Sequence, residues 1–252
     1  MISLKTTDWE IKNIDTVLFD KDGTFIDLHY FWGKMTELRA IEVIKQFNLN
    51  ENVLSNLCLE LGYNTKTKRM LKDGITALYS RVKIIEIFTN RLKIYGIETT
   101  ENTIESIFDK VNEIFYKNMH DYTIPIDSAI SFIKELHRLK IKVGIVTSDS
   151  KESTEKTINY FNWQELFQVV IGRESSVYTK ESGEPTKLAL KELNANKNTT
   201  IMIGDAPMDY ISAKNAKIEK TILVATGQLS IEDLSKTSNY VVSSLKEIEI
   251  LN

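Results

Sequence analysis

Five short apolar runs, at residues 16–20, 143–149, 169–172, 201–205 and 222–226, end in small or acidic side chains. Their length and β-branched content are those of strands buried on both faces. The segments between them space apolar residues as helices do, for example Ala129, Ile133, Leu136 and Leu139, or Leu188, Leu190 and Leu193. Strand and helix therefore alternate. The pattern predicts an α/β fold, a Rossmann-like doubly wound parallel sheet with ligands gathered at the carboxyl ends of its strands.

One long interval breaks the alternation. Between about Tyr30 and Met119 the apolar positions recur three or four apart over residues 35–47, 53–61, 75–94 and 103–117, with no convincing strand pattern. This predicts a separate α-helical insertion over residues 30–119, leaving 1–29 and 120–252 as the α/β core. No repeat, low-complexity tract or Gly/Ser linker is visible, so two short connections must join the parts.

Charge and composition narrow the classes of function. The 35 acidic and 32 basic side chains give a formal charge of -3, which supplies no basic field to track a phosphate backbone, so nucleic acid is not an expected partner. With 42% hydrophobic and 27% charged residues, the chain has the balance of a globular protein. Cys58 is the only cysteine and lies in an apolar run, where an inert buried thiol is expected and a disulfide framework is excluded. Residues 1–15 are polar and no stretch of 18 apolar residues occurs, so neither a signal peptide nor a membrane partner is expected and the protein is placed in the cytoplasm. A monomer or a homodimer is expected.

Four acidic residues fall at the ends of predicted strands or in the turns that follow: Asp20 and Asp22 after the first, Asp205 and Asp209 after the fourth. In a parallel sheet these ends share one edge. Asp149, ahead of the helical stretch 151–161, reads as a helix cap. Asp20, Asp22 and Asp205 do not read that way, because three converging carboxylates repel unless a cation sits among them, and a few carboxylate oxygens suit Mg²⁺.

The residues Phe19-Asp20-Lys21-Asp22-Gly23-Thr24 resemble the D-x-D-G-T signature of the haloacid dehalogenase superfamily. Three further signatures follow in that family's order. Residues 143–147 with Ser148 and Asp149 resemble the second motif, an apolar strand ending in Thr or Ser. Lys180 falls where the third motif places its lysine, and Ile203-Gly204-Asp205-Ala206-Pro207-Met208-Asp209 is similar to the fourth, G-D-x-x-x-D. The resemblance implies an Mg²⁺-dependent phosphatase in which Asp20 is the nucleophile and forms an aspartyl-phosphate that water hydrolyses. It further implies that Asp20, Asp205 and the backbone carbonyl of Asp22 hold the metal. Asp22 would give a proton to the leaving oxygen and then activate water. Thr147 and the N–H of Ser148 would bind a phosphoryl oxygen, Lys180 would offset charge, and Asp209 would orient Lys180 or a metal-bound water.

The third motif departs from the family pattern, in which Lys is commonly followed at once by Pro. Here Lys180 precedes Glu181-Ser182-Gly183-Glu184-Pro185, which makes Lys187 a rival for the same charge, with Lys180 favoured. Lys21 is assigned no role. No G-x-S-x-G elbow, P-loop, dinucleotide fingerprint or C-x-x-C pair occurs, and His29, His120 and His137 lack metal-ligand spacing.

The helical insertion resembles the cap of the subgroup that includes phosphoglycolate phosphatase and β-phosphoglucomutase. Residues 20–32 (DKDGTFIDLHYFW) and 61–74 (LGYNTKTKRMLKDG) look like stretches of phosphoglycolate-phosphatase-like proteins. The implied substrate is a small phosphate ester such as phosphoglycolate, a sugar phosphate or an amino-alcohol phosphate, with a cap that closes over it. The basic cluster Lys66, Lys68 and Arg69 reads as a solvated face. A phosphomutase of the β-phosphoglucomutase type and a catalytically silent binding module are the alternatives.

Overall fold

The computed structural model describes all residues, Met1–Asn252. In chain order its strands and helices are β1 (Ile2–Lys5), β2 (Glu10–Ile14), β3 (Thr16–Phe19), α1 (Leu28–Phe47), α2 (Leu54–Glu60), β4 (Tyr63–Asn64), β5 (Arg69–Met70), α3 (Ile75–Leu78), α4 (Arg81–Leu92), α5 (Glu101–Lys117) and α6 (Met119–Tyr122). There follow α7 (Asp127–Arg138), β6 (Lys142–Val146), α8 (Lys151–Tyr160), β7 (Val169–Ile171), α9 (Glu184–Glu192), β8 (Thr200–Gly204), α10 (Pro207–Asn215), β9 (Thr221–Val224), α11 (Ile231–Ser235), β10 (Tyr240–Val242) and β11 (Glu249–Leu251). They form two compact units, one of Met1–Asp27 with Pro125–Asn252 and one of Leu28–Ile124.

The first unit is built on a six-stranded parallel sheet of order β10-β9-β8-β3-β6-β7. All five expected strands are present in it. Every residue of β3, β8 and β9 is buried, the reason these strands read as continuous apolar runs without alternation. Leu18, Val146, Met202, Ala213 and Leu190 pack together in this core. From β3 the chain moves outward through β6 and β7, then returns to the other side of β3 with β8. The order therefore reverses at β3, and the crevice beside its carboxyl end is where such sheets bind ligands.

Four strands of this unit escape the sequence pattern. Residues 1–15, read as merely polar, contain β1 and β2, which pair antiparallel with each other, and β1 pairs antiparallel with β11 on its other side to make a small three-stranded sheet. Only Ile2 and Leu4 of β1 and Ile11 and Ile14 of β2 are buried, so the apolar signal is two residues per strand. β10 extends the parallel sheet beside β9 with three residues.

The second unit is helical, around a core that includes Val43, Leu57, Leu61, Phe88, Leu92, Ile104 and Phe108. It is wider than the expected 30–119, starting two residues earlier and ending five later. α1 begins at Leu28, and α6 is tied in by the Phe115 and Tyr122 rings at 5.3 Å and by the Tyr30 hydroxyl donating to the Asp121 carbonyl at 2.8 Å. The single helix expected over 75–94 is broken: Tyr79 is extended and Ser80 caps α4, its side chain accepting from the Lys83 N–H. The insertion is also not wholly helical. β4 and β5 form a hairpin, with Tyr63 opposite Met70, whose turn is set by Asn64 Oδ1 accepting the N–H groups of Lys66 and Thr67. Strands of two residues carry no detectable alternation.

Candidate functional site

Asp20 follows the last residue of β3, and its N–H donates to the Ile203 carbonyl of β8 at 2.9 Å. Asp205 follows β8 directly, and Asp209 lies in the first turn of α10, where its Oδ2 accepts the Ala206 N–H at 3.1 Å. Adjacent strands thus deliver these carboxylates to one point. One oxygen from each of Asp20, Asp205 and Asp209 lies within 4.8 Å of the others, and all three residues are buried.

Lys180 enters the cluster from a single 3₁₀ turn, Lys180–Ser182. Its Nζ lies 2.6 Å from Asp20 Oδ1 and 2.5 Å from Asp209 Oδ1. The motif departure after Lys180 has a structural account. Gly183 takes φ +79°, which a side chain would strain, and turns the chain into α9 with Pro185 in its first turn. The Asn215 side chain holds that turn from α10, donating to the Glu181 carbonyl at 2.7 Å. Lys187 points elsewhere: it is 45% exposed and pairs with Glu184 one turn away.

Burial is the largest influence on these acids. It pushes Asp205 well above the ordinary carboxyl range, with Asp20 and Asp209 adding to the rise and Lys180 opposing it. Asp209 is pushed up to about 6 by burial, against the pull of Lys180. Burial alone would lower Lys180, but Asp20 and Asp209 hold its ammonium above the usual lysine value.

The sequence groups the Asp22 carboxylate with those of Asp20 and Asp205, but in the structure it pairs with a different ammonium, Lys21, and Asp209 completes the triad. Asp22 Oδ1 is 2.5 Å from Lys21 Nζ, which also lies 3.1 Å from Asp149 Oδ2. Burial pushes the Asp22 carboxyl up to about 6, with Lys21 pulling it down and Asp149 and Asp20 pushing it up. Asp149 is not the helix cap that its position suggested. Ser150 caps α8, accepting from the Ser153 N–H at 3.0 Å, while Asp149 pairs with Lys21 and accepts the Ser150 N–H at 2.7 Å.

Thr147, after β6, is buried and its hydroxyl oxygen accepts the Asp149 N–H at 3.1 Å. Ser148 beside it is exposed. Cys58 is buried and its thiol is pushed up to about 12 by that burial. His120 and His137 are exposed, and His29 Nδ1 accepts the Met70 N–H at 3.1 Å, so none joins the acidic cluster.

The donor set fits a divalent cation. Within the cluster the aspartates at 20, 205 and 209 face a single ammonium, Lys180, and hard oxygen ligands of this kind suit Mg²⁺. The space around Asp205 is kept by two glycines. A Cβ on Gly227 would stand 1.8 Å from Asp205 Oδ2, and one on Gly23, at φ +86°, would stand 2.4 Å from it. Gly227 carried no sequence signal because it belongs to none of the four motifs.

A stability consequence follows from the raised carboxyls. Asp22 and Asp209 hold protons up to about pH 6 when folded, against an ordinary value of 3.8. Between those values the folded state binds more protons than the unfolded chain, so this contribution to stability is present below about pH 4 and is lost as pH rises to about 6. A cation that offsets the negative charge is therefore expected to raise the melting temperature more at pH 7.5 than at pH 5. Thermal denaturation with and without Mg²⁺ at both values checks this, and an increment independent of pH would contradict it.

The comparison with known proteins agrees with the geometry. Residues 14–217 match the haloacid dehalogenase-like hydrolase family, so this chain belongs to the haloacid dehalogenase-like hydrolases and is an enzyme of that class. It is 27% identical over 212 residues to pyrophosphatase PpaX of Halalkalibacterium halodurans, covering 83% of each chain. A putative phosphatase from Clostridium difficile superposes with a TM-score of 0.68 at 21% identity, over 94% of this chain and 97% of that one. A predicted phosphoglycolate phosphatase from Haemophilus somnus gives a TM-score of 0.68 at 13% identity, over 93% and 96%. The two structures share the fold. No helix is long and apolar enough to cross a membrane.

Proposed function

We propose that this protein is an Mg²⁺-dependent phosphatase that hydrolyses a small phosphomonoester through an aspartyl-phosphate on Asp20. The observation that carries this reading is the buried cluster at the carboxyl end of β3, where the Asp20 carboxylate meets Lys180 and lies within 4.8 Å of Asp205 and Asp209. Held by Asp20, Asp205 and the backbone carbonyl of Asp22, Mg²⁺ would neutralise charge on the phosphoryl group.

A carboxylate oxygen of Asp20 attacks phosphorus as the ester P–O bond breaks. Asp22 gives its proton to the departing oxygen, and its raised carboxyl supports that role because a protonated fraction survives toward neutral pH. Water then attacks the phosphorus of the acyl phosphate while Asp22 takes back a proton, releasing phosphate and restoring Asp20. Lys180, anchored by Asp209, lies beside the nucleophile to offset the charge of the approaching phosphoryl group. Thr147, whose hydroxyl oxygen already accepts from Asp149 N–H, has its hydrogen to donate to a phosphoryl oxygen, with the N–H of Ser148 beside it.

Phosphoglycolate, sugar phosphates and amino-alcohol phosphates are the candidate substrates, and the naming of a relative as a pyrophosphatase adds inorganic diphosphate. A cytoplasmic location is part of this reading, and the free buried thiol of Cys58 accords with it. The test is phosphate release across such a panel, with Mg²⁺ and with a chelator. Release from small esters that stops on chelation is expected, with a phosphorylated protein a poor substrate. Release unaffected by chelation would refute the metal requirement. Isomerisation of a sugar phosphate without free phosphate would make the protein a mutase, and no turnover at all would make it a silent binding module.

A further inference from the structure

Lys21 stands between the two aspartates of the first motif and has no exposed surface. Burying an ammonium costs several kcal/mol before pairing, and an apolar side chain of the same volume would serve a purely structural position as well or better. The burial is compensated here by two carboxylates from different turns: Asp22, one residue on, and Asp149, after β6. Both ends of this bridge are fixed. The Lys21 carbonyl accepts the N–H groups of Thr24, Phe25 and Ile26 at 3.0 to 3.2 Å, which locks the turn after β3. Asp149 is held by the Ser150 N–H on Oδ1, by its own N–H donating to Thr147 Oγ1, and by its carbonyl accepting from the Arg173 N–H at 2.8 Å.

We propose that Lys21, braced by Asp149, is a positioning residue that fixes the orientation of the Asp22 carboxyl for proton transfer to the leaving oxygen. With Oδ1 held by Lys21, the proton that Asp22 delivers is carried on Oδ2, and the carboxyl cannot turn to exchange the two. The same chain of contacts reaches Thr147, so the proton donor and a phosphate-binding hydroxyl are set by one network. This inference rests on the phosphatase reading, within which it assigns a function to a residue that the first motif leaves variable.

The experiment separates positioning of the acid from general damage by varying the leaving group. A poor leaving group, an alkoxide, needs the proton, whereas p-nitrophenolate departs with far less help. For Lys21→Met, kcat/KM for an alkyl phosphate is expected to fall by about 10²-fold, the low end of what general acid catalysis contributes. The loss for p-nitrophenyl phosphate should be at least about tenfold smaller, again on the scale of lost acid assistance. The alkyl loss should appear in kcat rather than KM. Asp149→Asn, which keeps its shape and loosens the brace, should show the same selectivity with a smaller loss, and it carries the test if Lys21→Met does not fold. Equal losses on both esters in a folded variant would overturn the proposal and leave Lys21 structural. Absence of phosphate release by the unmodified protein, or full activity in Asp20→Asn, would instead overturn the phosphatase reading on which it rests.

Discussion

Asp20→Asn is expected to abolish phosphate release from every ester the unmodified protein hydrolyses, a loss on the order of 10⁴-fold or more, as when a covalent nucleophile is removed. The amide keeps the shape of the carboxylate at the end of β3 and can still accept from Lys180, so the loss would be chemical. Asp209 remains as a partner for Lys180, and one negative charge is withdrawn from beside Asp205, whose carboxyl is raised partly by Asp20. The melting temperature of the variant should therefore be no lower than that of the unmodified protein. Phosphate release and thermal denaturation measured together check this. Intact-mass analysis adds a direct readout, since a phosphoryl adduct should form on the unmodified chain and not on Asp20→Asn. Full activity in that variant would sink the proposed nucleophile.

The elements visible in the sequence are those whose signal is strong and local. β3, β8 and β9 are buried along their whole length, so each leaves an unbroken apolar run, and the turns after β3 and β8 carry the acidic motifs. What escaped depends on pairing between distant segments. β1 and β2 find a third strand at β11, more than two hundred residues away, and that partnership makes strands of segments with two buried residues each. The break before Ser80 has a local cause, a capping residue inside an apolar pattern, but the period of the flanking positions runs across it and hides it.

The candidate site divides in the same way. The motif spacing brings Asp20, Asp22, Asp205 and Asp209 to one edge of the sheet, but the strand order that sets β8 beside β3, and the choice of Asp209 rather than Asp22 as the third carboxylate of the cluster, come only from the fold. The space for Asp205 depends on Gly227, which enters from the loop after β9. Lys21 is assigned no role from the sequence because many residues are tolerated between the two aspartates of the first motif, and only the folded arrangement shows its ammonium buried against Asp149. The reading of Asp149 as a cap failed for a simple reason: Ser150, one residue later, has the geometry to accept from α8, which frees Asp149 for the ion pair.

The choice between Lys180 and Lys187 yields the other large expected effect. Lys180→Ala would leave Asp20 and Asp209 facing each other in a buried cluster without their shared ammonium. Removing one partner of such a buried pair typically costs about 3–5 kcal/mol of stability. Loss of a preorganised cation beside the reacting phosphoryl group costs on the order of 10²- to 10³-fold in kcat. Lys187 pairs with Glu184 on the solvent face of α9, and exposed pairs of this kind contribute about 0–1 kcal/mol. Lys187→Ala should accordingly leave both the melting temperature and kcat close to their starting values. Mg²⁺ would offset part of the charge left uncovered in Lys180→Ala, so its melting temperature should respond to added Mg²⁺ more strongly than that of the unmodified protein. Steady-state kinetics and melting curves for the two variants, each with and without Mg²⁺, decide the matter. Equal losses from the two lysines, or a larger loss at Lys187, would show that the ion pairs of Lys180 with Asp20 and Asp209 do not supply the charge that the chemistry needs.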